Sequence, residues 1–148
     1  MAEASGSNSF AEGKGSVAEG DNSHAEGRSA QALGYAAHAE GYESIAEADE
    51  SHAEGRATHA QAQYSHSEGH ATYAKGLASH AEGSETIAEG SQSHAEGYST
   101  KALKPQSHAE GNSVIADGIA SHAEGIMSKA LGNYSHAEGL DTVASGEA

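Results

Sequence analysis

Cysteine and tryptophan are absent from this sequence, proline and phenylalanine occur once each, and seven lysines and arginines stand against 22 aspartates and glutamates. Each shortage excludes something. Without cysteine there are no disulfides and no thiolate metal sites, although the compartment stays open. A formal net charge of −15 makes the chain a poor partner for a nucleic-acid backbone or an anionic membrane surface. No apolar run approaches the roughly 20 residues of a membrane-spanning helix, and no signal-peptide apolar region follows Met1. Large apolar side chains are too few to fill the core of a compact domain of 148 residues. Such composition ordinarily means disorder.

What is present overrides that prior. After Met1 the chain divides into 21 units of seven residues without insertion or deletion (21 × 7 = 147), a single repeat domain over residues 2–148. Each unit reads small-x-Ala-x-Gly-x-x. Position 3 is Ala in 20 units, Ser67 being the exception; position 5 is Gly in 18, with Ala48, Ala62 and Lys104 as exceptions. Stacked repeats bury surface that one unit cannot bury alone.

Seven is also the coiled-coil period, but a coiled coil needs large apolar residues at two heptad positions. Those positions here hold Ala, Gly or polar residues, and a Gly in each heptad costs a helix about 1 kcal/mol relative to Ala. The alternative is a strand of about five residues followed by a two-residue turn. Positions 1, 3 and 5 then face inward as Ser/Thr, Ala and Gly, and two strands can lie very close together. Units also alternate. SHAEG or a near copy starts at Ser9, Ser23, Ala37, Ser51, Ser65, Ser79, Ser93, Ser107, Ser121 and Ser135, with variable units such as SVAEG at 16 and SKALG at 128 between them. The expectation is an all-β parallel roll with two short strands and 14 residues per coil, about ten coils, and a stack roughly 50 Å long at the usual strand spacing.

Equivalent positions of successive coils form columns. One holds Phe10, then His24, His38, His52, His66, His80, His94, His108, His122 and His136. Beside it run Glu12, Glu26, Glu40, Glu54, Glu68, Glu82, Glu96, Glu110, Glu124 and Glu138. Carboxylates at that spacing repel by about 0.9 kcal/mol per neighbour in water and about 3.5 at an effective dielectric of 20. The adjacent carboxylates favour protonated His, whereas burial opposes it. The sequence leaves the winner open. On the variable units, Val or Ile at position 2 goes with an acid at position 4, and Lys or Gln with Leu, which places Lys diagonally near acids.

The Asn8-Ser9-Phe10-Ala11-Glu12-Gly13 stretch, with Asn22-Ser23-His24-Ala25-Glu26-Gly27 and Tyr134-Ser135-His136-Ala137-Glu138-Gly139, resembles the NSVAIG motif of trimeric autotransporter adhesin heads, the YadA-like head. The repeats are also similar to SHAEG-rich segments of phage and prophage tail fibres. The resemblance implies a left-handed roll and a homotrimer. It further implies an extracellular place on a cell-surface or virion fibre, as a fragment of a larger exported or virion protein. Possible partners are a host-surface or extracellular-matrix receptor, with no membrane insertion by this segment. In that family the Val and Ile of the motif face the trimer axis. Carried over, the His and Glu columns and Phe10 become the candidate trimer interface, with polar residues where the family has apolar ones.

Three readings of the His–Glu columns compete. The first is structural: side-chain pairs tie coils or subunits together. The second is a metal- or proton-responsive binding module, since His and carboxylate are suitable ligands. The third is acid–base catalysis, which the repetition disfavours, because no coil is distinguished from the next. The structural, non-enzymatic reading needs no cofactor and no assigned metal. His59 and His70 lie outside the column and read as exposed polar residues. The turn tyrosines Tyr35, Tyr42, Tyr64, Tyr98 and Tyr134 read as edge caps or as an adhesive surface. The glycine-aspartate signature of calcium-binding rolls is absent.

Overall fold

In the computed structural model, residues 1–146 are described, and they form a two-sheet parallel β-solenoid. Ten long strands, from Phe10–Lys14 to His136–Leu140, build one sheet; eleven two-residue strands, from Glu3–Ala4 to Val143–Ala144, build the other. Every strand pairs in parallel with its equivalent one coil away, so His66 lies between His52 and His80, and Ala74 between Ala60 and Ala88. The 14-residue coil is as the alternation of units requires.

The two strands of a coil are unequal, which corrects the expectation of five-residue strands over positions 1–5 of every unit. In SHAEG units the strand covers positions 2–6, as in His24–Arg28; in variable units it covers positions 2–3, as in Val17–Ala18. The reason lies in position 5. In every SHAEG unit that glycine takes a positive φ, 120° at Gly27, which turns the chain outward and extends the ladder by a residue. In variable units it has no positive φ and stays inside, buried at Gly34, Gly76 and Gly90. Position 5 is therefore left-handed in one kind of unit only; in the other its glycines are mostly buried, while Lys104 reaches into water toward Asp117. Ala48, Ala62 and Lys104, which break the glycine rule, all fall in variable units, where a side chain meets no left-handed backbone.

Position 7 is left-handed in both corners, and mostly without glycine: φ is 58° at Ser29, 55° at Ala57 and 57° at Met127. This conformation costs a non-glycine residue about 1–2 kcal/mol. It also aims the amide along the stack. Ser29 N–H donates to the Lys14 carbonyl at 2.9 Å, Ala57 to Tyr42 at 2.8 Å and Met127 to Asn112 at 2.9 Å, so the hydrogen-bond ladder runs through the corners. Asp21 and Asp49 add side-chain acceptors to the ladder, taking the Ser7 and Tyr35 amides at 2.7 and 2.8 Å.

The core is made of alanines and small hydroxyls; its largest fully buried side chains are Val114 and the threonines 58, 72, 86 and 100. Position-1 serines close the corners: Ser121 Oγ donates to the Gly118 carbonyl at 2.7 Å, and Ser16 Oγ to that of Glu12 at 2.7 Å. Ser67, the one departure from Ala at position 3, is paired inside the core with Thr72, hydroxyl to hydroxyl at 2.7 Å.

Candidate functional site: the histidine–glutamate face

The long strands carry His at position 2 and Glu at position 4 on the same outer face, because alternate residues of a strand point the same way. Parallel in-register pairing then sets each ring on the next. From His24 to His136 consecutive imidazoles stack with centroids 4.7–4.9 Å apart and planes within 1–7° of parallel. Phe10 caps the column edge-on to His24 at 5.3 Å. The structure thus brings together all the sequence-predicted residues of the two columns on one face.

Seven of the nine rings, all but His38 and His136, lean along the strand to within 4 Å of the glutamate of their own coil. Nε2 stands 3.4 Å from Glu Oε2 in the His80–Glu82 pair, 3.5 Å in His52–Glu54 and His94–Glu96, and 3.9 Å in His24–Glu26. The side chains of these imidazoles are 35–40% exposed, yet Nε2 itself is buried and without a hydrogen bond in all of His24, His38, His52, His66, His80, His94, His108 and His122. At three of the nine column histidines the competition between carboxylates and burial goes to burial. His38, His66 and His122 are held below the ordinary imidazole range, first by desolvation and then by the two flanking histidines, against the opposing pull of nearby glutamates. A stack of rings favours neutral rings because each added charge lies against its neighbours.

The second face is less uniform. His59 is not a free surface residue: it stacks on Tyr73 at 4.9 Å and lies 3.8 Å from Glu47, whereas His70 is exposed beside Ser84. The expected diagonal Lys–acid pairs are not formed by Lys101 or Lys129; among the described residues Lys104–Asp117, at 3.7 Å, is the one lysine or arginine pair with a carboxylate. Two-residue strands leave those long side chains splayed into water. Tyr35, Tyr64, Tyr98 and Tyr134 stand exposed instead of folding over the edge. Tyr42 lies between two guanidinium groups, Arg28 at 5.3 Å and Arg56 at 5.6 Å. That cluster went unread in the sequence, although its signal was there: Arg28, Tyr42 and Arg56 share position 6 at 14-residue intervals. No pocket opens among the described residues, and none of their segments is a helix long and apolar enough to cross a membrane.

With these columns in place, comparison with known families is informative. The YadA head domain repeat family matches the chain in residues 4–23, 25–47 and 123–146. The chain carries YadA head repeats. Between the matched stretches the same 14-residue coil continues unbroken through residues 48–122. YadA head repeats belong to non-enzymatic adhesin heads exposed at the cell surface, where they are adhesive structural segments. No curated protein matches the chain closely enough to count as a relative.

Proposed function

We propose that the chain is a segment of a homotrimeric surface fibre. In this reading the solenoid is left-handed, and the His and Glu columns, with Phe10, face the threefold axis. The observation that carries it is the thinness of the core. Alanine, serine and threonine bury little apolar surface, and at about 25 cal/mol per Å² such a core does not offset the ordering of the backbone. A face of stacked rings with buried, unbonded Nε2 atoms is the surface with most to gain from cover, which supports this orientation.

The role of the segment is to hold the fibre's length and display its outer edges. Attachment to a host-surface or extracellular-matrix receptor belongs to the whole fibre, on a cell or a virion, and the exposed Tyr35, Tyr64, Tyr98 and Tyr134 are its contact points in this segment. Sedimentation equilibrium tests the assembly. Three chains of 14.9 kDa give about 45 kDa. A single-chain mass at micromolar concentration contradicts the reading.

A further inference from the structure

The histidine–glutamate face leaves two needs unmet together: eight buried Nε2 atoms without a hydrogen bond, and a column of carboxylates one coil apart. We propose that this face binds divalent d-block cations of the zinc class, each held between two consecutive coils by the Nε2 atoms of both histidines and the glutamate between them. His80, Glu82 and His94 are one such set. Their ligand atoms all lie within 4.8 Å of one another, and the same holds for the sets beginning at His52, His66, His94 and His108. Two imidazole nitrogens and a carboxylate suit zinc, nickel or copper, whereas calcium and magnesium take oxygen ligands. The remaining coordination positions are left to water or, in the proposed trimer, to groups of the partner chains.

The spacing adds a constraint. Zinc–nitrogen bonds are about 2.1 Å, so two nitrogens on one tetrahedral ion stand about 3.4 Å apart. Rings stacked at 4.8 Å, as His80 and His94 are, must tilt their nitrogens together by about 1.4 Å to share an ion. That tilt draws each ring away from its other neighbour, so one histidine serves one ion and bridges alternate along the column. Counting the wider sets at the ends of the column, its nine histidines, two per ion, take four ions per chain and leave one ring over. The two histidines and the glutamate of a site come from one chain, so the proposal stands apart from the trimer reading, which the mass measurement tests by itself.

The alternation gives the test a parity. Phe10 already sits in the column, so phenylalanine replaces a ligand while keeping a stacked ring. His80→Phe leaves four histidines on either side and still allows four bridges. His94→Phe leaves five and three, and allows three. Zinc titration by calorimetry of the tag-free, chelator-stripped protein reads the difference: unchanged stoichiometry for His80→Phe, and a loss of one ion per chain for His94→Phe. Circular dichroism in chelator confirms that each variant keeps its strands. Equal losses in the two variants overturn the proposal, and so does a wild-type chain that takes up no zinc, whatever the variants do.

Discussion

At the scale of the residue, backbone handedness decides what each position tolerates. Ala57 holds φ at 55° with its amide bonded along the stack, and a glycine there keeps the bond without the steric penalty. Ala57→Gly is expected to stabilise by about 0.5–1 kcal/mol after the extra freedom of the unfolded chain is subtracted; urea denaturation reads it as a higher midpoint at constant slope. Gly97 is the opposite case. At φ 105° a Cβ would collide with the Gly111 carbonyl oxygen, a backbone atom that cannot swing away. Gly97→Ala is expected to cost at least about 2 kcal/mol, and an unchanged midpoint would refute the role given to this corner. The left-handed position 7 was not legible in the sequence, because Ala, Glu, Ser, Gln and Met fill it and only the occasional Asn or Gly hints at it. The inward Ala and Ser were legible, because small residues at a strict spacing suit little besides a thin, close-packed interior.

The strand and the column are the next scale. Opposed sheets that meet through alanine leave no room for a larger side chain, so Ala95→Val in the fully buried Ala column is expected to destabilise by about 1–3 kcal/mol through overpacking. Thermal unfolding checks it, and a gain in stability would mean that the core has slack. The histidine column sets the response to pH. His66 is packed against His52 and His80, with Glu68 and Glu54 nearby, and its pKa is lowered. A histidine lowered on folding binds fewer protons folded than unfolded, so its contribution is whole above the unfolded pKa of about 6.5 and is lost as pH falls from there through the lower folded value. Unfolding temperatures taken in chelator from pH 8 to 5 should therefore drop below about pH 6.5; a flat profile or a rise toward acid would sink the idea. The sequence supplied both columns and their registry. It did not supply the sign, since that depends on ring-on-ring stacking and on how far Nε2 is tucked behind its neighbours.

At the scale of the whole molecule, a solenoid is close to one-dimensional: each coil touches only the coil before and the coil after. The coil, and not the seven-residue unit, is then the smallest piece that can be removed. Deleting residues 79–92 joins Ala78 to Ser93, keeps a SHAEG unit after a variable one, and returns every later strand to its own sheet. Deleting residues 79–85 alone joins Ala78 to Thr86. The next unit to arrive is variable, and a two-residue strand falls where a five-residue strand is needed. Every later unit would then sit on the wrong sheet, with its glycine in the wrong corner. The 14-residue deletion is expected to unfold cooperatively at a slightly lower temperature with its β-type circular dichroism retained; the seven-residue deletion is expected to lose that signal or split the transition in two. Tolerance of the shorter deletion would mean that SHAEG and variable units are interchangeable, which the left-handed glycines at position 5 of every SHAEG unit argue against.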